Sequence, residues 1–161
     1  MHERIFIIIP TYNYAHDLAV TLRNVLAQQD VRTEIIVVDD GSTDETAQAG
    51  ASFGAQGQFS QGSSAARNLG MTLAQGDYVM FLDSDDLMMP SALRSQLDCL
   101  LAHPEADIAH CVTNLFTAPS PEAAPQPLAG FKFCFNPAQM DAGFAPMSVF
   151  GTSRDFSGIF R

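Results

Sequence analysis

Short apolar runs alternate with amphipathic stretches along the N-terminal part of the chain. Four runs are mostly apolar at consecutive positions, without the alternation of a half-exposed strand: residues 5–9, 35–38, 78–82 and 108–112. β-Branched and aromatic residues are common in them, as in parallel strands that are covered on both faces. We therefore predict four buried strands, and a shorter strand near Phe59.

The stretches between these runs carry apolar residues at helical spacing. They predict helices over residues 15–28, 42–52, 64–74 and 91–102. Ser42-Thr43-Asp44-Glu45 has the form of a capping box at the start of the second helix, and Gly76 is expected to cap the end of the third. Strands that alternate with helices predict an α/β fold with a mainly parallel sheet and helices on both of its faces.

Polar residues follow three of the predicted strands at the points where the strands end. They form the clusters Thr11-Tyr12-Asn13, Asp39-Asp40-Gly41-Ser42 and Asp83-Ser84-Asp85-Asp86. Ligands of open parallel sheets bind at the carboxyl ends of the strands. We therefore expect all three clusters to line one crevice.

The third cluster places three carboxylates within four residues, directly after an apolar strand. Carboxylate oxygens suit Mg²⁺ or Mn²⁺, and either ion suits a diphosphate. The structural alternative is a capping turn before Pro90, because Asp-x-Asp pairs also occur by chance in such turns. A second acidic cluster at the end of another strand favours the interpretation as a metal and diphosphate site.

Other residues of these clusters have both a structural and a functional interpretation. One acid of the Asp39-Asp40 pair can serve the N-terminus of the next helix, while the other accepts a hydrogen bond from a base or a ribose. Arg67 is either a solvated helix residue or points into the crevice toward an acid or a phosphate, and its small neighbours favour the crevice. Tyr12 either stacks on a planar base or fills the sheet edge, and the sequence does not separate these alternatives.

The 161 residues carry a formal charge of −10, from 18 acids and 8 bases. This charge disfavours nucleic acid or an anionic membrane surface as a direct partner, because both attract basic patches. A phosphorylated ligand would need a metal ion to bring positive charge into the site. The three cysteines, Cys99, Cys111 and Cys134, lack zinc-type spacing and indicate reduced thiols of a cytosolic protein. The first apolar run is too short for a signal peptide or a membrane span.

Four motifs in this order resemble the inverting glycosyltransferase family 2. They are Pro10-Thr11-Tyr12-Asn13, Val37-Val38-Asp39-Asp40-Gly41-Ser42-Thr43-Asp44, Ser64-Ala65-Ala66-Arg67-Asn68 and Gly76-Asp77-Tyr78-Val79-Met80-Phe81-Leu82-Asp83-Ser84-Asp85-Asp86. The resemblance implies a GT-A fold, in which a Rossmann-like nucleotide-sugar half precedes an acceptor half. It also implies a nucleotide-diphospho-sugar donor, preferably a UDP-sugar, a divalent Mn²⁺ or Mg²⁺ ion, and transfer to an acceptor hydroxyl with inversion.

The resemblance further implies which side chains form the nucleotide-sugar site: Pro10, Thr11, Tyr12, Asn13, Asp39, Asp40, Arg67, Asp83 and Ser84. Within this set, Thr11 and Tyr12 would border the base, and Asp40 would accept a hydrogen bond from its ring. Asp83 and Ser84 would lie at the ribose and the diphosphate, and Asp85 and Asp83 would be the metal ligands.

One part of the family pattern has no counterpart in this sequence. Family members carry a catalytic carboxylate downstream of the metal motif, after a Gly-Gly-Phe-Asp segment, and no such segment occurs here. Asp141 and Asp155 lack a comparable context, so we expect the base beyond Arg161 in a longer protein. We predict a nucleotide-sugar half over residues 1–113, followed over residues 114–161 by a proline-rich loop and the start of an incomplete acceptor half.

Two other functions fit parts of the same pattern. A phospho-acceptor receiver domain would use Asp39, Asp83, Thr113 and Lys132 at successive strand ends, but it leaves the cluster after the first strand unexplained. The chain could also bind a nucleotide sugar without activity of its own. The acceptor stays open among a saccharide, a lipid-linked sugar and a protein. The expected location is the cytoplasm, with or without peripheral attachment to the inner face of the membrane.

Overall fold

The structure is a computed structural model that describes residues 3–54, 56–57, 61–110, 116–117, 126–127 and 158–160. The chain divides into two compact units, one formed by Met1–His110 with Ser157–Arg161 and the other by Cys111–Phe156. The functional division after residue 113 stays a prediction. Several residues named by the sequence predictions lie outside the described part: Phe59, Cys111, Thr113, Lys132, Cys134, Asp141, Asp155 and Arg161.

The described strands, in chain order, are β1 (Arg4–Thr11), β2 (Arg32–Asp39), β3 (Gln56–Gly57), β4 (Tyr78–Phe81), β5 (Ile108–His110), β6 (Phe116–Thr117), β7 (Gln126–Pro127) and β8 (Gly158–Phe160). The described helices are α1 (Ala15–Leu26), α2 (Thr46–Ala51), α3 (Ser63–Leu73) and α4 (Ala92–Ala102). Each of the four apolar runs contains a described strand, the fourth over Ile108–His110, and each amphipathic stretch contains a helix, as predicted. The largest shift is at the start of α2, which begins at Thr46 rather than at residue 42.

Six strands of the first unit form one sheet in the order β3-β2-β1-β4-β8-β5. β1 lies parallel to β2 on one side and to β4 on the other, with Thr11 opposite Asp39 and Ile8 opposite Phe81. β8 is antiparallel to both β4 and β5 and separates them. The prediction of a mainly parallel α/β sheet is confirmed. The local pattern did not predict the position of the antiparallel strand β8 in this sheet.

The two faces of the sheet bury alternate residues of β1. Ile5, Ile7 and Ile9 pack into one cluster with side chains of α1 and α4, while Phe6 and Ile8 pack against α3 on the other face. All five side chains are at most 1% exposed. Full burial of such a side chain stabilises a fold by about 1.5–3 kcal/mol. Helices on both faces therefore explain why the run is apolar at every position.

Two glycines allow α3 and the chain after it to approach the sheet closely. A Cβ atom on Gly70 would lie 2.4 Å from Ile8 Cγ2, and one on Gly76 would lie 2.3 Å from Phe6 Cε2. α3 ends at Leu73, and its capping residue has extended backbone angles. The prediction that Gly76 caps this helix is therefore wrong. A side chain is excluded at this position because the Phe6 ring lies against it.

The capping box predicted at Ser42 is also wrong. The Ser42 hydroxyl donates to Asp39 Oδ1 over 2.6 Å, and no side chain caps α2 from its capping position. Instead, the backbone N–H of Thr46 donates to Asp44 Oδ1 over 2.9 Å. The Thr46 hydroxyl also donates to Asp44, and this hydrogen bond lowers the pKa of the Asp44 carboxyl below its ordinary value. The acid two residues before Thr46 thus satisfies the first turn of the helix.

In the second unit, β6 and β7 pair antiparallel, with Phe116 opposite Pro127. These strands lie at the two ends of the proline-rich segment that the sequence predicted as a loop. The longest described helix, α1, has 12 residues. None of the helices in the described ranges is both long and apolar enough to cross a membrane.

Candidate functional site

The carboxyl ends of β1, β2 and β4 meet at one edge of the sheet. The pairing of β1 with β2 reaches Thr11 and Asp39, and the backbone N–H of Asp40 donates to the Thr11 carbonyl over 2.9 Å. On the other side, the backbone N–H of Leu82 donates to the Ile8 carbonyl over 3.1 Å. The residues that follow these strands therefore begin side by side.

Asn13 joins the loop after β1 to the loop after β2. Its backbone N–H donates to Ser42 Oγ over 2.8 Å, and its side-chain Oδ1 accepts from the backbone N–H of Thr43 over 2.8 Å. Ser42 in turn donates to Asp39, which is buried. Asn13 has a φ of 55°, a conformation that asparagine tolerates better than most residues. We call this set of contacts, made by Asn13, Asp39, Ser42 and Thr43, the loop clasp.

Asp40 connects the end of β2 to the start of α3. Its Oδ1 accepts from the backbone N–H of Gln61 and its Oδ2 from that of Gly62, each over 2.8 Å. Asp40 is only 6% exposed, so these contacts satisfy a carboxylate that has left bulk water. Gly62 has a φ of 93°, which favours glycine at this turn. Because α3 begins at the next residue, Asp40 fixes where that helix starts.

Arg67 extends from α3 to the end of β4. Its Nη2 lies 2.5 Å from Asp83 Oδ1, and each side chain keeps 23% of its surface exposed. The structure thus gives Arg67 the acid partner in the crevice that the sequence favoured over a solvated position. A guanidinium has five N–H donors, more than one carboxylate oxygen can use, which suits a second anionic partner such as a phosphate.

The residues after β4 form a tight turn. The backbone N–H of Asp86 donates to the Asp83 carbonyl over 3.1 Å, so Ser84 and Asp85 are the central residues of the turn. Ser84 is buried, whereas Asp85 is exposed at the tip. The described ranges contain no group of three or more His, Cys, Asp or Glu side chains that could hold a metal ion. A cation at this turn would therefore need ligands from a bound molecule or from water.

Thr11 and Tyr12 differ sharply in exposure at the end of β1. Thr11 is 4% exposed, and in the part of the chain that the structure describes its hydroxyl has no hydrogen-bond partner. Tyr12 is 48% exposed, so its ring does not fill the sheet edge. A buried hydroxyl without a partner and an exposed ring beside it suit a planar ligand that has hydrogen-bonding groups.

Two residues of α1, and Gln28 just after its end, are functional candidates that the sequence did not indicate; they contact the turn after β4 and the chain that follows it. The Thr21 hydroxyl lies 2.9 Å from the Ser84 carbonyl oxygen and 3.0 Å from that of Asp86. Asn24 and Gln28 make further hydrogen bonds to the backbone of residues 88–93. The spacing of three residues between Thr21 and Asn24 puts them on one side of the helix, and this polar pair beside the apolar stripe was the available signal.

Comparison with known proteins identifies the class to which this site belongs. Residues 6–153 match the glycosyl transferase family 2. Because this match covers most of the 161 residues, the chain belongs to that family.

Two curated relatives illustrate the match. The uncharacterized glycosyltransferase YibD of Escherichia coli K12 is 32% identical over 117 residues, which are 68% of this chain and 33% of the relative. WfgD of Escherichia coli, named as a UDP-Glc:alpha-D-GlcNAc-diphosphoundecaprenol beta-1,3-glucosyltransferase, is 32% identical over 101 residues, which are 59% of this chain and 40% of the relative. The chain thus spans well under half the length of these two relatives.

Solved structures show the same fold. A mannosyltransferase from Pyrobaculum calidifontis, in complex with GDP-Man and Mn2+, has a TM-score of 0.63 at 28% identity, over 70% of this chain and 36% of that one. TarS 1-349 of S. aureus, in complex with UDP-GlcNAc, has a TM-score of 0.58 at 27% identity, over 65% of this chain and 33% of that one. The Rossmann-like GT-A fold predicted from the sequence is therefore confirmed, and the receiver-domain alternative is not favoured.

Proposed function

We propose that the protein to which this chain belongs transfers a sugar from a nucleotide-diphospho-sugar donor to an acceptor hydroxyl, with inversion at the sugar carbon. The observation that carries the proposal is the convergence of polar groups from β1, β2, β4 and α3 at the carboxyl edge of the sheet. The Arg67–Asp83 ion pair joins two of these elements there. Membership of the glycosyl transferase family 2 supports sugar transfer as the reaction at that edge.

The base and ribose of the donor would bind at the ends of β1 and β2. The exposed Tyr12 ring offers a face for stacking, and the buried Thr11 hydroxyl offers a hydrogen bond. Asp40 accepts two backbone N–H groups at this edge, and its carboxylate would be the acceptor for a base N–H. A relative named for UDP-Glc and a solved structure in complex with UDP-GlcNAc support a UDP-sugar as the preferred donor.

The diphosphate and a divalent ion, Mn²⁺ or Mg²⁺, would lie beside the turn after β4. The donor atoms fit such an ion, because Asp85 presents an exposed carboxylate and Asp83 a half-buried one. Two protein carboxylates leave most of an octahedral shell to phosphate oxygens and water, as Mg²⁺ prefers. When bound, the ion would stabilise the charge that develops on the leaving nucleoside diphosphate.

The chain's own groups would hold the donor in position for this reaction. Although the protein is strongly anionic, Arg67 would bring a fixed positive charge to the phosphates of the donor. Asp83 would orient the Arg67 guanidinium. The loop clasp would keep Tyr12 and Asp39 at a constant separation. As part of the same proposal we place the protein in the cytoplasm, which suits reduced cysteines, and leave its acceptor open among a saccharide, a lipid-linked sugar and a protein.

Calorimetric titration of UDP into the chain, with Mn²⁺ and with EDTA, tests the proposal. We expect binding to be at least about tenfold tighter with Mn²⁺, because even outer-shell changes at a metal site alter affinity by about that factor. Asp85→Ala should remove the difference between the two conditions. Asp107→Ala, at an exposed acid of the same chain, is the matched control and should behave like the unchanged protein. Equal binding with and without Mn²⁺ would contradict the proposal.

A further inference from the structure

The polar side of α1 is built onto the turn that presents Asp85. Thr21 is only 1% exposed, and its hydroxyl faces the carbonyl oxygens of Ser84 and Asp86 over 2.9 and 3.0 Å. These carbonyls belong to the residues directly before and after Asp85. The Thr21 hydroxyl has one proton, so the carbonyl oxygens of Ser84 and Asp86 share it as two acceptors. Both carbonyls are thereby held at a similar distance from α1. One buried side chain thus fixes the backbone on both sides of the exposed acid.

Asn24 holds the same segment a few residues further on. Its Nδ2 donates to the Met88 carbonyl over 3.0 Å, and its Oδ1 accepts from the Met88 backbone N–H over 2.7 Å. Gln28 adds a third contact, from its Nε2 to the Met89 carbonyl over 3.1 Å. These bonds join residues more than 60 positions apart in the sequence. Local helix formation needs none of them.

We propose that Thr21 and Asn24 are positioning residues that set the metal affinity of the turn carrying Asp83 and Asp85. The inference rests on the proposed function, because it assigns a role to these residues only if a divalent ion binds there. Thr21 and Asn24 would then act on the metal-dependent part of donor binding and not on the base pocket, since in the described part of the chain their side-chain hydrogen bonds go to Ser84, Asp86 and Met88.

Thr21→Val tests this role because it replaces the hydroxyl by a methyl group of similar size. Mn²⁺ is titrated into the chain saturated with UDP, and free Mn²⁺ is followed by its electron paramagnetic resonance signal. We expect the Mn²⁺ affinity to fall about tenfold, as for the loss of an outer-shell group. UDP affinity measured in EDTA should change less than about twofold. Thr21→Ser restores the hydroxyl and should recover the Mn²⁺ affinity.

Two further variants separate positioning from general stability. Asn24→Ala removes contacts that lie further from Asp85 and should weaken Mn²⁺ binding by a smaller factor than Thr21→Val. Thr72→Val removes another helical hydroxyl that donates to a carbonyl, that of Leu69 over 2.7 Å, on an exposed part of α3, and should leave Mn²⁺ binding unchanged.

The outcomes distinguish this inference from the proposed function. If the unchanged protein binds Mn²⁺ with UDP but Thr21→Val binds it equally well, the inference is wrong and the proposed function stands. If Thr21→Val weakens UDP binding equally in EDTA and in Mn²⁺, the residue is merely structural and the inference is again wrong. If the unchanged protein shows no Mn²⁺ binding with UDP, the proposed function fails and the inference fails with it.

Discussion

The two ends of the paired strands β1 and β2 carry charged residues in very different surroundings. At the first residue of β1, Arg4 pairs with Glu34 over 3.0 Å, and the two side chains keep 55% and 50% of their surface exposed. At the carboxyl edge, Asp39 and Asp40 are only 7% and 6% exposed, and they accept hydrogen bonds from backbone N–H groups and a hydroxyl. The first end is a solvated surface, and the second is a constructed polar site.

This difference shows which charged groups carry an energetic cost of burial. An exposed ion pair contributes roughly 0–1 kcal/mol, so Arg4 and Glu34 need no explanation beyond solubility. A buried carboxylate loses its hydration and is tolerated only when nearby donors replace the water. Buried titratable groups held by specific partners cluster at functional sites, and this supports placing the proposed activity at the carboxyl edge. The following variants test the contrast, from the largest expected effect to the smallest.

Asp40→Ala should destabilise the fold most strongly. It leaves the backbone N–H groups of Gln61 and Gly62 without the carboxylate that they contact over 2.8 Å each. We expect a loss of about 3 kcal/mol in the free energy of unfolding. Urea denaturation followed by circular dichroism measures it. Asp98→Ala removes an exposed acid on α4 and is the control, for which we expect a clearly smaller loss. Equal losses would remove the distinction between the two kinds of charge.

Asn13→Ala should destabilise the loop clasp by about 2 kcal/mol. About half of this is the strain of an alanine at a positive φ, and the rest is the hydrogen bond from Thr43. Asn13→Gly accepts the backbone conformation but still lacks the amide, so its loss should be smaller. The same urea titrations separate the two contributions. A glycine variant as unstable as the alanine variant would show that backbone strain is not involved.

Arg67→Met should weaken UDP binding by about tenfold, equivalent to about 1.4 kcal/mol. The change removes the positive charge beside Asp83 and leaves that carboxylate facing an anionic ligand. Calorimetry in Mn²⁺ measures the affinity. Arg4→Met makes the same replacement at the opposite end of β1 and should leave UDP binding unchanged. If both variants lost affinity alike, the effect would come from net charge and not from the site.

Asp44→Asn should have the smallest effect, and only above acid pH. The pKa of Asp44 is lowered from its ordinary value of 3.8 because the Thr46 hydroxyl donates to the ionised carboxylate. A group whose pKa is lower in the folded state stabilises the fold above its unfolded pKa, and this contribution disappears as the pH falls through the folded pKa. Thermal unfolding of both proteins should therefore differ at pH 7, begin to converge as the pH falls below about 3.8, and coincide once the pH is below the lowered pKa of the folded state. A difference that persists at the lowest pH would refute the assignment.

Features determined by local pattern were predictable, and features determined by distant partners were not. The run that forms most of β1 was evident because it is apolar at consecutive positions. The polar clusters were predicted to lie together because each follows the end of a strand. β8 has three residues, and its position depends on the uncovered edges of β4 and β5. Ser42 matched a capping box, but its hydroxyl is taken by Asp39 and by the backbone of Asn13 across the loops.

The same reason explains why the roles of Thr21 and Asn24 were not predicted. Thr21 and Asn24 lie on a helix that the sequence predicted, yet their partners come 63 to 65 positions later in the chain. Only the tertiary structure shows that their side chains meet the turn after β4. The prediction that Gly76 caps α3 was wrong for a similar reason, since the Phe6 ring that excludes a side chain there belongs to β1, which is distant in the sequence. The acidic clusters indicated a metal and a diphosphate, and the family resemblance added the nucleotide sugar.

A crystal structure of the chain with UDP and Mn²⁺, with the ion located by its anomalous scattering, tests the central claim most directly. We predict one Mn²⁺ peak that contacts the Asp85 carboxylate and the diphosphate, with the base beside Tyr12 and with Thr21 still hydrogen-bonded to the turn. An ion bound away from the turn after β4, or a nucleotide bound away from the carboxyl edge of the sheet, would contradict it.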